Sequence, residues 1–205
     1  MPRLTANTRT PILLIAVFLL ASCSGRAPAE PGYRELPNPC QLVGPPSAAD
    51  LVGPAESELS GFDEPDPEAK STSTSQACVW DSRAAPGWGE IVLVNLRVQV
   101  TIHLLQDGSP AVEPAKDSSQ LQEHSMQAAP PPLALGDQSF VRYTDQSGVQ
   151  TSSFYFRKAN VEVTVHYRGQ GENFTGAEVN KPREELENAV HGVAAEALEK
   201  LGPPK

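Results

Sequence analysis

From residue 94 to residue 104 the chain alternates without a break. Val92, Val94, Leu96, Val98, Val100, Ile102 and Leu104 are apolar, while Asn95, Arg97, Gln99, Thr101 and His103 between them are polar. Successive strand side chains point to opposite faces, so this pattern predicts a long strand with one buried and one wet face. Such alternation belongs to antiparallel sheets; a parallel strand covered on both faces would be apolar throughout. Proline distribution agrees. Of 20 prolines in 205 residues, none falls in 87–109 or in 133–181, and proline cannot donate to a sheet ladder. The second gap holds three further predicted strands, Gln138–Thr144, Val149–Lys158 and Val161–Tyr167. Asp145-Gln146-Ser147-Gly148 and Ala159-Asn160 are the turns between them.

Helical spacing returns at the C-terminus. Leu186, Val190, Val193, Ala194, Ala197 and Leu201 share one face. Asn180 is a predicted cap, Pro182 falls in the first turn, and Gly202-Pro203 is the stop. A short helix is expected near the start of the body, capped by Ser47, with Asp50 three residues on and Gly53 as its stop. Leu42, Leu51 and Val52 are its expected apolar contacts. Residues 54–76, which include Ser71-Thr72-Ser73-Thr74-Ser75, read as a loop. Cys78-Val79-Trp80 reads as a short strand, and 113–128 as a surface helix with Leu121 and Met126 as its largest apolar residues. The expected fold is α+β: an antiparallel sheet of about four to six strands packed against a C-terminal helix and a short N-terminal helix.

The first 23 residues carry a different signal. Arg3 and Arg9 make a positive start with no acid, and Ile12 to Ala21 is an apolar run of ten. That is too short for a spanning helix, which needs about 20 residues, and it suits the apolar region of an export signal. The run ends Leu20-Ala21-Ser22-Cys23, which resembles the bacterial lipobox. The resemblance implies cleavage before Cys23 and a diacylglyceryl thioether on its sulfur. Multiple acyl chains give stable anchoring where one gives marginal binding. The implied organisation is a signal peptide over 1–22, a lipidated Cys23 and flexible tether over 23–37, and one extracytoplasmic domain over 38–205. Its expected place is the outer face of the bacterial cytoplasmic membrane. Loss of Arg3 and Arg9 takes the formal net charge from −9 to −11.

With Cys23 lipidated, Cys40 and Cys78 remain. In an exported chain such a pair is expected to be oxidised, the alternative being two buried thiols. Pro39-Cys40-x-Leu42, a short helix ending at Gly53, and then Cys78-x-Trp80 resemble a family of actinobacterial lipoproteins of unknown function. Leu135-Gly136-Asp137 and Lys158-Ala159-Asn160-Val161 are similar to two further segments of that family. The chain departs from the family's Thr/Ser-Pro-Glu helix start, reading Pro46-Ser47-Ala48-Ala49 instead. The resemblance implies an α+β extracytoplasmic domain, somewhat similar to the sensor domains of mycobacterial receptor kinases, and carries over no catalytic residue.

Composition and motifs narrow the function classes. Sixteen basic residues face 25 acidic ones, and no basic run exceeds two, so the clustered cations of a nucleic-acid binder are missing. There is no Gly-x-Ser-x-Gly, Walker loop or His-Glu-x-x-His. A non-enzymatic domain without a cofactor is therefore expected. Its expected partners are the membrane, through the lipid anchor, and a small apolar ligand or an envelope protein. The alternative is an accessory subunit of an envelope complex. Trp88, Tyr155 and Tyr167 are the candidate ligand-binding residues. Whether the late-strand aromatics line a cleft or fill the core stays open, because Phe154 and Phe156 must face away from Tyr155. His103 and His166, with Glu162, would approach one another only if their strands pair, and they are expected to be solvated strand residues, not metal ligands.

Overall fold

The computed structural model describes residues 31–53, 56–61, 71–81, 90–146, 149–173 and 182–205; side chains of 90–93 and 169–173 are outside the description. The export signal, Cys23, Trp88, Asn180 and the centre of the first predicted hairpin turn therefore lie outside the described residues.

Six strands form one antiparallel sheet. They are β1 (Ser57–Ser60), β2 (Ser71–Asp81), β3 (Glu90–Leu105), β4 (Gln138–Gln146), β5 (Val149–Lys158) and β6 (Val161–Asn173), in the spatial order β1-β2-β3-β6-β5-β4. The alternating segment is β3, at the centre, and the fold is α+β. Helices α1 (Pro39–Leu42), α2 (Pro45–Val52) and α4 (Arg183–Leu201) pack on one face of the sheet, and α3 (Val112–Met126) lies on the other.

The first face holds the main core. Leu96, Val98, Val100 and Ile102 of β3 meet Val161, Val163 and Val165 of β6 and Phe154 and Phe156 of β5. Leu186, Val190, Val193, Ala194 and Ala197 of α4 close over them. This is the helical stripe read from the sequence, with Leu201 half-buried at its end. Gly202 takes φ 68°, which favours glycine, and ends the helix as expected. Trp80 lies in the same core, beside the Cys40–Cys78 disulfide that joins α1 to β2.

Several local expectations change. The serine-threonine run at 71–75 is the first half of β2, hydrogen-bonded to β3 along its whole length, rather than loop. Its β-branched and hydroxyl residues find a partner strand that no local pattern announces. Helix α2 begins at Pro45, not after Ser47, because proline suits the first helical turn. Ser47 instead hydrogen-bonds Glu196.

Residues 31–37, expected to be tether, belong to the folded body. The Tyr33 backbone N–H donates to Asn160 Oδ1 at 2.7 Å, the Tyr33 hydroxyl donates to the Gly202 carbonyl at 2.6 Å, and the Gly32 N–H donates to the Lys205 carbonyl at 3.3 Å. Nothing in the local composition marks that docking, since its partners lie more than 100 residues away in sequence.

Glu196 fastens the α1–α2 connection to α4. Its Oε1 accepts from the Gly44 N–H at 2.9 Å and from Lys200 Nζ at 2.7 Å. Partial burial pushes its pKa up, but hydrogen bonds from Lys200, Ser47 and Gly44, with the Lys200 charge, outweigh burial and hold the carboxyl below its ordinary range. A carboxylate with a depressed folded pKa adds stability above its unfolded pKa and loses it as pH falls through the folded one. Glu196→Gln is therefore expected to lower the melting temperature at pH 7 and to have a smaller effect below about pH 4. Parallel melts of both chains across that range check this; an equal deficit at every pH would contradict it.

Candidate functional site

The second face of the sheet is where polar chemistry collects. The registers set residues in rows across the strands. One row runs Ser75, Thr101, Glu162, Arg157, Gln138, the next Ala77, Gln99, Thr164, Tyr155, Phe140, and a third Val79, Arg97, His166, Ser153, Arg142. Helix α3 covers the first two rows at their β6–β5–β4 end. It does so with small and polar residues: Ala115 and Ser119 are its buried positions, and Leu121 is 70% exposed. Ser119 Oγ bonds Gln138 Oε1 at 2.7 Å, Gln138 Nε2 donates to Glu123 Oε2 at 2.9 Å, and Gln122 Nε2 reaches Glu162 Oε2 at 3.5 Å.

Beneath α3 lie buried ionisable groups. His103 and Glu162, 7% and 3% exposed, face each other with Nε2 and Oε2 3.4 Å apart. The face read as wet is thus sealed where α3 crosses it. Tyr155 is stacked on Phe140, their ring centroids 4.3 Å apart. Burial, followed by the negative charge of Glu162, pushes its hydroxyl pKa far up, so it stays protonated at any ordinary pH. His166 does not join this group. It pairs across the sheet with Arg97, while Glu162 pairs with Thr101 four residues along the strand. Its Nδ1 shares a 2.7 Å hydrogen bond with Ser153 Oγ. Burial and the nearby Arg97 charge lower its pKa, which keeps the ring neutral at pH 7. Among the described residues, no three His, Cys, Asp or Glu side chains are grouped to hold a metal.

The candidate ligand residues do not come together. Tyr155 faces α3, whereas Tyr167 points into the main core and its hydroxyl donates to the Leu51 carbonyl at 3.0 Å. Both are buried. The late-strand aromatics Phe154, Tyr155, Phe156 and Tyr167 are packed inside, on two faces. Phe154 and Phe156 face one way and Tyr155 the other, yet all are covered, because helices lie on both sides of the sheet.

Two segments named in the family resemblance meet in space. Gly136 has φ 67°, and a Cβ there would stand 2.4 Å from the Arg157 carbonyl oxygen. Only glycine lets the chain pass so close. The next residue, Asp137, accepts the Ala159 N–H at 2.7 Å through Oδ2. Ala159 takes φ 51°, unusual for a residue with a side chain, and that bond holds it there. The tight turn then aims Asn160 inward. Its Nδ2 donates to the His103 and Tyr33 carbonyls at 2.8 and 2.9 Å. Leu135-Gly136-Asp137 and Lys158-Ala159-Asn160 are therefore one structural device that clasps the N-terminal segment.

A cleft of about 390 Å³ opens beside that segment, lined by Tyr33, Arg34, Glu35, Leu201, Pro203 and Lys205. No helix of the described residues is long and apolar enough to cross a membrane. Compared with known proteins, the chain matches no family model, no curated protein and no solved structure.

Proposed function

We propose that this chain is a lipoprotein anchored through Cys23 on the outer face of the cytoplasmic membrane, and that its folded body is a non-enzymatic binding domain for an envelope partner. The observation that carries the reading is the Cys40–Cys78 bond, because such bonds persist outside the reducing cytosol. It agrees with the export-signal pattern and the Leu-Ala-Ser-Cys ending at Cys23. The resemblance to actinobacterial lipoproteins points the same way.

Binding belongs on an outer surface in this reading. The space between the sheet and α4 is filled by side chains with no exposed area, among them Phe154, Phe156, Leu186 and Val190.

Cys23→Ala is expected to move the protein from the membrane fraction to the medium or soluble fraction and to abolish incorporation of labelled palmitate. Fractionation of both chains in an actinobacterial host checks this. A variant that remains membrane-bound, or a wild-type chain that takes up no label, would remove the lipobox from the argument.

A further inference from the structure

The row of the second sheet face that α3 leaves open carries an unusual charge for so acidic a chain. Arg97 and Arg142 are exposed on it, and Arg168 is exposed on the row beside it. Arg97 and Arg142 are the two charged members of the row Arg97, His166, Ser153, Arg142. Arg168 stands one step diagonally from Arg97, opposite Asn95. None of the three is in an ion pair among the described residues, and Arg97 makes a single 3.3 Å contact with Gln99 Oε1. The acid beside them, Asp81, is engaged by Asn95 Nδ2. A second exposed acid, Glu58, stands opposite Val79 at the β1 end of the Arg97 row, while Glu162 is shut beneath α3. Both acids lie at the β1–β2 end; across β3, β6, β5 and β4 the two rows hold three arginines and no acid, so a protein with formal net charge −9 shows there a locally positive, hydroxyl-bordered surface, with Ser153, Thr151 and Thr144 between and beside the guanidinium groups.

Spacing selects the occupant. Arg97 and Arg142 are three strand separations apart, about 14 Å. In an extended peptide, side chains at positions i and i+4 fall on one side about 13–14 Å apart. Arg168, a diagonal neighbour at roughly 7–8 Å from Arg97, widens the cationic end. Arginine forks match carboxylates bidentately. The row has no exposed aromatic ring for stacking on a sugar or entering a lipid surface.

We infer that this open row is the docking surface for an extended acidic segment of a partner protein, whose carboxylates at i and i+4 engage Arg97 and Arg142 across β3, β6, β5 and β4. The assignment deepens the binding-domain reading above and rests on it. His166 and Ser153, already bonded to each other, supply neutral polar contacts midway.

The test titrates the full-length chain, purified in a neutral detergent, with a fluorescent twelve-residue peptide of alternating Glu and Thr, read by anisotropy. Arg97→Gln, Arg142→Gln and Arg168→Gln are each expected to weaken binding roughly threefold, and the triple variant roughly thirtyfold. Arg34→Gln, away from the face, should leave it unchanged. A second peptide with the same number of Glu residues gathered at one end should bind more weakly than the alternating one. Circular dichroism and melting of each variant separate lost binding from lost folding. No binding by the wild type, equal affinity for the two peptides, or a triple variant that binds normally would overturn the inference. So would vesicles containing 30 mol % phosphatidylglycerol capturing the unlipidated Cys23→Ala chain but not the same chain with the three arginine substitutions while neither peptide binds, since that outcome assigns the face to the membrane. Cys23→Ala retains the face, so a failure of anchoring leaves this titration unaltered and the two readings fail separately.

Discussion

Replacing Cys40 and Cys78 together by serine is expected to destabilise the folded body by about 4 kcal/mol. The two residues are 38 apart in sequence, and opening the bridge returns that loop's entropy to the unfolded chain. Packing adds to this. Cys78 is fully buried beside Trp80, and Cys40 sits in a helix of only four residues. So short a helix has no stability of its own. The melting temperature is expected to fall by roughly 10 °C, and reducing the wild type should bring it to the same place. Thiol titration of the unfolded, unreduced chain should find neither cysteine reactive. A double variant that melts within a degree or two of the wild type would mean that α1 and α2 are held by packing alone.

The second large effect is expected at Asn160. Its side chain is fully buried and makes three hydrogen bonds, one accepted from the Tyr33 N–H and two donated to the Tyr33 and His103 carbonyls. Asn160→Ala removes all three and strands the Tyr33 groups next to apolar surface. The expected cost is about 3 kcal/mol, reduced to the extent that water reaches them. The structural consequence is specific: the segment from residue 31 to 37 should come away from the body. Trypsin should then cut after Arg34 much faster in the variant, while sites within the sheet stay protected. If the cleavage rate at Arg34 is unchanged, the segment is held by the Tyr33 hydroxyl and Gly202 rather than by Asn160.

The central strand, the late hairpin and the C-terminal helix were legible in the residues because each is amphipathic over many positions. β3 repeats every second residue and α4 every three to four, and such periods come from burial of one face. β1 and the first half of β2 were not legible. Ser57–Ser60 and Ser71–Ser75 have no apolar period, and their place in the sheet depends on β3 offering hydrogen bonds from a distance. The bond between Cys40 and Cys78 was expected from counting cysteines in a chain read as exported, and the structure shows the bond and the α1–β2 contact it secures.

The candidate surface divides in the same way. Arg97 and His166 each read as an ordinary wet-face residue of its own strand. Only the registers of three strand pairs bring them into a row with Arg142. Likewise His103 and Glu162 carried the pattern of exposed residues, and α3 reversed that by crossing over them with small side chains. By itself, the sequence determined which segments become strand and helix wherever one face is apolar, and which cysteines were free to pair. Tertiary structure decided strand order, the clasp on Tyr33 and which part of the polar face stays open. Those outcomes depend on contacts between residues far apart in the chain, and local periodicity has no access to them.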